Sequence, residues 1–253
     1  MWSGDYRFLA GNLILKDFRI RYRNMSLGAF WSLLNPLVMM GVLVFVFGKI
    51  FTNDTPHYPA FVLCGLVPYN FFTLAWASGT SSLVENAGLI KRVPVPREVI
   101  PVTSVLSNCV HLLIQIALLL VFVLGSGLLP NRYWLWLPVI WALDIIFVCG
   151  MALLFSGINV YIRDTRYVVE SVNLVLFWLV PVFYGFERIP PQYHDVYQFN
   201  PVAAVVMALR KILLEGQPPA ASTLTNLTLI SAVSLAVGLF IFRRLKPRFY
   251  DYL

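Results

Sequence analysis

Six long apolar runs dominate the pattern of hydrophobic and polar residues along the chain, and shorter polar segments separate them. Each run reaches the roughly 17 to 25 residues that a helix needs to cross the hydrocarbon core of a bilayer. The runs are apolar on every side, whereas the strands of a membrane barrel alternate between apolar and polar residues. The pattern therefore predicts an all-α membrane protein with six transmembrane helices, at residues 30–51, 59–83, 103–129, 133–161, 168–186 and 224–242.

Composition supports a membrane environment. Only 12% of the 253 residues are charged, against about 25% in a typical soluble domain. The cysteines Cys64, Cys109 and Cys149 lie in three different apolar runs without metal or redox spacing, so we expect small buried hydrophobic side chains. The first 25 residues are basic and lack the short apolar core of a signal peptide, so no cleavable signal is expected.

The basic residues predict the orientation of the helices. If the first residues lie in the cytoplasm, 14 of the 19 Lys and Arg residues fall in cytoplasmic segments. Basic loops stay on the cytoplasmic side of a membrane, so both termini are predicted to be cytoplasmic. Because these residues lie between and beside the apolar runs, the net charge of +7 does not indicate a surface for nucleic acid.

The segment before the first run predicts an amphipathic helix in the interface plane. Its polar stripe consists of Asn12, Lys16, Arg19 and Arg23. Its apolar stripe consists of Ile14, Phe18, Tyr22 and Met25, whereas Leu13 and Ile20 fall outside that stripe. The helix would pack on the bundle or a partner protein, or anchor the chain to anionic lipid through its basic residues.

The predicted cytoplasmic loop at residues 85–98 combines apolar and basic side chains. Leu89 and Ile90 are expected to be exposed beside Lys91 and Arg92, and prolines at 94 and 96 end any helix there. Topology requires no apolar pair at a loop tip, so the pattern favours a docking site for a soluble subunit. The alternative is a solvated turn.

Two further segments have a structural or a functional interpretation. Asp144 lies near the middle of the fourth run, where a hydrogen bond to Asn108, His111 or Gln115 would satisfy it in a structural role. Between runs five and six, residues 202–214 are apolar for only half a crossing, which fits either a short re-entrant helix or a surface helix. Asn200 and Pro201 are suited to begin that helix.

The sequence shows no catalytic or nucleotide-binding motif. Residues 41–49 partly match the motif of a phosphate-binding loop. Leu43, however, occupies the position of its first glycine, and Ile50 stands where the motif requires Ser or Thr after the lysine. Neither His-Glu-x-x-His nor Gly-x-Ser-x-Gly occurs. We therefore expect no enzymatic activity, cofactor or metal in this chain.

Several motifs resemble those of ABC-2 type permeases that export lipid-linked polysaccharides, such as the O-antigen and teichoic acid exporters. The first is Arg-Tyr-Arg at 21–23, followed by Leu-Gly-Ala-Phe-Trp-Ser-Leu-Leu-Asn-Pro-Leu at 27–37. Others are Gly-Leu-Val-Pro-Tyr-Asn-Phe-Phe at 65–72, Asn-Ala-Gly-Leu-Ile-Lys-Arg-Val-Pro-Val-Pro-Arg-Glu at 86–98 and Asn-Val-Tyr-Ile-Arg-Asp at 159–164. Pro-Val-Phe-Tyr at 181–184 and Asn-Pro-Val at 200–202 complete the resemblance.

The resemblance implies one transmembrane domain over residues 1–253, comprising an interface helix (1–29), a six-span bundle (30–243) and a cytoplasmic tail (244–253). It implies a homodimer in a bacterial inner membrane with two copies of a cytoplasmic ATPase, which binds ATP and Mg. The substrate would be a glycan on a polyprenyl diphosphate carrier. The implied gate region includes Asn200, Pro201 and Arg210. The implied ATPase-coupling residues are Lys16, Arg19, Arg21, Arg23, Leu89, Ile90, Lys91, Arg92 and Arg97.

Aromatic residues are candidates for contact with such a glycan, although Trp and Tyr also form belts at membrane interfaces. The candidates are Trp31, Tyr69, Phe177, Trp178 and Tyr184. Two rival functions remain at this point. One is an ABC-2 permease for a drug or small lipid, and the other is a membrane enzyme acting on polyprenyl phosphate, which would require paired acids or a cluster of cations at one interface.

Overall fold

The computed structural model describes residues 6–22, 30–51, 55–93, 95–194, 197 and 199–253. In the first of these ranges, side chains are described only for residues 8–20. Within these ranges every regular element is helical, which confirms the all-α prediction. The α-helices are α1 (Tyr6–Tyr22), α2 (Trp31–Phe45), α3 (Tyr58–Glu85), α4 (Ala87–Arg92), α5 (Val99–Gly125), α6 (Leu137–Tyr161), α7 (Thr165–Leu179), α8 (Pro201–Leu213), α9 (Ala221–Leu245) and α10 (Phe249–Tyr252).

Five helical segments in the described ranges are long and apolar enough to cross a membrane. Helices suit this role because they pair every backbone N–H and C=O group internally, in a solvent that offers no hydrogen bonds. These segments are Trp31–Ile50, Tyr58–Arg92, Val99–Gly125, Arg132–Tyr161 and Ala221–Tyr252. They correspond to predicted runs one to four and six.

The fifth predicted run forms a shorter helix than expected. Helix α7 has 15 residues, or roughly 22 Å at 1.5 Å per residue. It ends where Val180 adopts an extended conformation. The next residue is Pro181, which disfavours the helical conformation in the residue before it and lacks an N–H group of its own. In the rest of the run, residues 180–185 are irregular backbone and Phe186 begins a 3-10 turn.

Helix α3 forms the centre of the bundle. It packs against α2, α5, α6, α7 and α8, and most of its side chains are buried. Its glycines permit close approach to neighbours, because a Cβ atom at Gly65 would lie 2.7 Å from the backbone of Val182 and one at Gly79 would lie 2.5 Å from the Cβ of Ala152. Small residues commonly allow such contact between membrane helices.

Helix α8 follows the predicted start and packs deeply. The side chain of Asn200 accepts hydrogen bonds from the backbone N–H groups of Val202 and Ala203 at 3.1 and 3.3 Å, and Pro201 is the first helical residue. The predicted N-terminal cap is therefore confirmed. Because α8 packs against α3, α6 and α9 with most of its residues buried, the alternative of a surface helix is wrong.

Helices α6 and α9 pack together at Gly150 and Gly238, and this contact predicts a large effect of added volume. A Cβ atom at Gly238 would lie 2.2 Å from the carbonyl oxygen of Gly150. We expect Gly238→Ala to lower the free energy of unfolding by about 1–3 kcal/mol, the usual cost of overpacking. Thermal denaturation of the detergent-solubilised protein measures this loss.

Gly41→Ala provides the matched control, because Gly41 also lies within a membrane-spanning helix but has open space around its Cβ position. It should leave the melting temperature unchanged or raise it, since alanine favours a helix by about 0.5–1 kcal/mol over glycine. Equal melting temperatures for both variants would contradict the close packing of α6 and α9.

Candidate functional site

Helix α4, on the predicted cytoplasmic side, presents charged side chains at its tip. Lys91 and Arg92 are exposed, whereas Leu89 is half-buried. The prediction that Ile90 is exposed is wrong, since its side chain is only 6% exposed. The short helix turns Ile90 inward, against a buried group that we call the α4 cluster. This cluster consists of Leu83, Ile90, Ile100, Leu153, Val160, Phe242 and Phe249.

Helix α1 packs on α5, but its two faces differ from the prediction. Leu13, which was placed outside the apolar stripe, is the buried residue, whereas Ile14 and Phe18 are only partly buried. The apolar side chains of Phe8 and Ile20 are exposed. The predicted separation into a polar and an apolar stripe is therefore wrong, because the helix turns its Leu13 side toward α5. The side chain of Tyr22 and the whole of Met25 lie outside the described residues.

One hydrogen bond joins the two segments predicted to couple the chain to an ATPase. Lys16 Nζ in α1 donates to Asn86 Oδ1, at the start of α4, over 2.5 Å. Asn86 in turn donates to the carbonyl oxygen of Ser82 at 2.8 Å. Lys16 also lies 3.3 Å from Asp17, which partly neutralises its charge. The structure therefore brings α1 and α4 into contact.

The remaining predicted coupling residues differ in their surroundings. Arg19 is exposed. Arg97 is partly buried, and its Nη1 donates to the backbone carbonyl of Lys246 at 2.8 Å. The side chain of Arg21 and the whole of Arg23 lie outside the described residues. The sequence patterns missed the contact with residue 246, since no local signal pairs positions that are separated by 149 residues.

Arg210 organises the opposite end of the bundle. It is 6% exposed, and its guanidinium lies 3.5 Å from the ring centroid of Phe61. Nη2 donates to the carbonyl oxygen of Val182 at 2.7 Å and Nη1 donates to that of Tyr184 at 3.2 Å. Irregular backbone at membrane depth requires partners for its polar groups. Arg210 supplies them to the segment that follows α7.

Four of the five candidate glycan-contact residues belong to one aromatic cluster. Phe183 links it, with ring centroids 6.0 Å from Phe177, 5.5 Å from Trp178 and 5.1 Å from Tyr184. Tyr69 meets Phe177 edge to face at 5.3 Å and donates a hydrogen bond to the carbonyl of Asn173.

The exposure of these aromatic residues differs. Tyr69 is buried, whereas Trp178 is 59% exposed. Trp31 lies apart from the cluster, because it begins α2 while Phe47, beyond the other end of that helix, stacks on Phe183 at 4.7 Å. The cluster therefore offers Trp178, and not Tyr69, as a side chain accessible from outside the subunit.

Asp144 lies in the core of the bundle without the predicted partners. It is 1% exposed, and its Oδ2 has no hydrogen-bond partner among the described residues. Asn108 instead donates to Ser78 Oγ and the carbonyl of Ser104. His111 and Gln115 hydrogen-bond to Ser32, through Oγ at 2.7 Å and the carbonyl at 3.3 Å. The predicted bond to Asp144 is wrong, because these polar groups of α5 join α2 and α3.

The part of the chain that the structure describes contains no group of three or more His, Cys, Asp or Glu residues that could hold a metal ion.

The two ends of the bundle differ in chemical character. One end combines exposed cations on α4 with a helix–helix contact to α1, which suits a protein partner. The other end combines a buried guanidinium with aromatic rings.

Comparison with known proteins gives one family and several full-length relatives. A sequence profile described as ABC-2 type transporter matches residues 10–214. An O-antigen export system permease protein RfbA from Klebsiella pneumoniae is 30% identical over 239 residues, covering 94% of this chain and 92% of the relative. The protein of the same name from Myxococcus xanthus is 27% identical, covering 98% and 96%. The polysialic acid transport protein KpsM of Escherichia coli is 26% identical, covering 91% of each chain.

Proposed function

The chain belongs to the ABC-2 type transporter family, and from this membership we propose that it is the transmembrane subunit of an ABC exporter for a bacterial surface polysaccharide. The observation that carries the proposal is similarity over nearly the whole length to permeases named for O-antigen export. Five long apolar helices fit a multi-pass protein of the bacterial inner membrane. The aligned relatives are named as export permeases or as a transport protein, which supports a permease subunit.

The substrate we propose is a glycan linked to polyprenyl diphosphate, of the O-antigen or teichoic acid type. The O-antigen permeases are more similar to this chain, at 30% and 27% identity, than the polysialic acid transporter at 26%. Aromatic rings bind sugars through their faces, and the cluster around Phe183 places several rings at one end of the bundle. These two observations support the substrate class.

The assembly we propose is a homodimer with two ATPase subunits, which bind ATP and Mg. Each subunit would cross the membrane six times, with α7 and residues 180–184 together forming the fifth crossing. The contact between α1 and α4 and the exposed cations of α4 support a docking site for the ATPase. The distribution of basic residues supports cytoplasmic termini.

Export by the reconstituted complex tests the proposed function. The chain should be purified with the ATPase encoded by a neighbouring reading frame and placed in lipid vesicles that contain the lipid-linked glycan on the ATPase side. We expect glycan to become accessible to a glycosidase on the other side only when ATP is hydrolysed. An ATP-driven complex that moves a drug or a simple lipid but no glycan would contradict the proposal.

Site-specific labelling tests the orientation. Cysteine at Lys91, on the exposed tip of α4, should react with a membrane-impermeant maleimide only from the cytoplasm. Cysteine at Tyr193, which is 51% exposed, should react only from the outside. The unsubstituted protein is the control, since Cys64 and Cys149 are buried and Cys109 is partly buried. The reverse pattern of labelling would contradict the orientation.

A further inference from the structure

The segment that follows the last span is held against the rest of the bundle. After α9, residues 246–248 form a single 3-10 turn and α10 follows with four residues. A helix this short is not stable by itself. Phe249 at its start is nevertheless fully buried, and its ring meets that of Phe242 edge to face at 5.3 Å. We call residues 246–252 the tail segment.

The buried contact of the tail segment is with the α4 cluster. The seven residues of this cluster come from six helices: α3, α4, α5, α6, α9 and α10. Ile90 is the only buried residue of α4, so the inner face of α4 rests on this cluster. Phe249 is the contribution of the tail segment. The position of α4 therefore depends on a side chain that follows it by more than 150 residues.

Polar contacts fix the same segment to the connection between α4 and α5. Lys246 Nζ lies 2.7 Å from Glu98 Oε1, and Arg97 donates to the backbone carbonyl of Lys246. Tyr161, at the end of α6, donates to the carbonyl of Leu245 at 2.8 Å and packs against Tyr252 with ring centroids 4.7 Å apart. The tail segment thus contacts both the loop after α4 and the end of α6.

The charge of Glu98 agrees with this pairing. Partial burial favours the neutral carboxyl, but the hydrogen bond from Lys246, with the nearby charges of Lys246 and Arg243, holds the pKa of Glu98 below its usual range. Glu98 is therefore ionised at neutral pH. A partly exposed ion pair contributes little to stability, so its main effect is on the position of the two segments that it joins.

We propose that the tail segment, through Phe249 and Lys246, is a positioning element that holds α4 in register with the spans, so that movement of the ATPase at α4 is passed to the bundle. This inference rests on the proposed function. An element that receives force at its outer face must be supported at its inner face. The α4 cluster and the pair of Lys246 with Glu98 provide that support for α4.

The test measures ATP hydrolysis and glycan export together, in the full complex with its ATPase in lipid vesicles. Lys246→Glu should leave the ATPase bound and active but lower the glycan exported per ATP hydrolysed. We expect a loss of about twofold to thirtyfold, the range that mutations within a contact network produce in coupling. Reversal of both charges, Lys246→Glu with Glu98→Lys, should restore most of the export.

Phe249→Leu tests the buried contact with a smaller risk of misfolding than truncation to alanine, because it keeps an apolar side chain in the cluster. Phe249→Leu should also lower the amount of glycan exported per ATP hydrolysed. Tyr250→Leu is the matched control, since Tyr250 is 57% exposed in the same helix, and it should match the wild type.

Wild-type ratios for Lys246→Glu and Phe249→Leu would overturn the inference, as would a failure of the double reversal to restore export. The wild-type complex is measured in the same vesicles. If it exports no glycan, the proposed function fails, and if it exports glycan while the variants match it, only the role of the tail segment fails.

Discussion

Replacement of Arg210 by methionine is expected to abolish glycan export and to lower the stability of the end of the bundle that contains Arg210. Methionine has a similar length but cannot donate a hydrogen bond. The carbonyl groups of Val182 and Tyr184 would then lose the partner that they have now. Each buried polar group left unpaired costs about 1–3 kcal/mol. This cost is partly offset, because the variant no longer buries a charged guanidinium. We therefore expect the free energy of unfolding to fall by about 2–4 kcal/mol.

The stability and export of three variants separate the roles of charge and geometry at this position. Arg210→Lys keeps the charge but loses the planar fork, so it should give an intermediate melting temperature. Lys211→Met is the matched control, because it removes a positive charge from the adjacent and less buried residue of α8. If Arg210→Met and Lys211→Met have the same melting temperature and export, the guanidinium does not hold the segment after α7.

The helices of this chain could be predicted from the sequence because their causes are local. A run of apolar residues selects a helix wherever lipid leaves backbone groups no other partner, and five long helices lie where five runs predicted them. The cap of α8 was equally local, since Asn200 and Pro201 are adjacent. The early end of α7 also has a local cause in Pro181, which the run of hydrophobic residues concealed.

The site residues were harder to predict, because their surroundings depend on distant parts of the chain. Ile90 follows a loop pattern that predicts exposure, yet Phe249 and Phe242 help to bury it. Arg210 obtains its partners from positions 28 and 149 residues earlier. Asp144 is buried as its position in the run requires, but the polar groups on α5 bond to other helices. No periodic signal encodes such pairings.

The burial of Ile90 also decides which substitutions test the docking of an ATPase on α4. An aspartate at Ile90 would disturb the α4 cluster, so a loss of export would not distinguish misfolding from failed docking. Lys91 and Arg92 are exposed and do not belong to the α4 cluster, so their replacement leaves the cluster unchanged. Reversal of both charges, Lys91→Glu with Arg92→Glu, therefore changes the outer face of α4 alone.

This double reversal is expected to remove most ATPase binding and most export, while the protein still inserts and folds. Loss of a central contact in an interface typically costs on the order of 2 kcal/mol or more, which corresponds to a decrease in affinity of roughly thirtyfold. Co-purification of the ATPase, followed by a titration of its binding to the subunit in lipid discs, measures this decrease. The melting temperature should remain that of the wild type, because both side chains lie outside the core.

Reversal of Arg163 and Arg166 is the matched control for charge. Both residues are exposed, Arg163 on the turn between α6 and α7 and Arg166 in the first turn of α7, and this region is also predicted to face the cytoplasm. Arg163→Glu with Arg166→Glu therefore changes the net charge by the same amount. We expect this variant to keep the ATPase bound with affinity close to that of the wild type, since the two replaced residues lie outside α4, the proposed docking site. An equal loss in both variants would assign the effect to general electrostatic attraction, and wild-type affinity in the α4 variant would exclude the tip of α4 as the docking site.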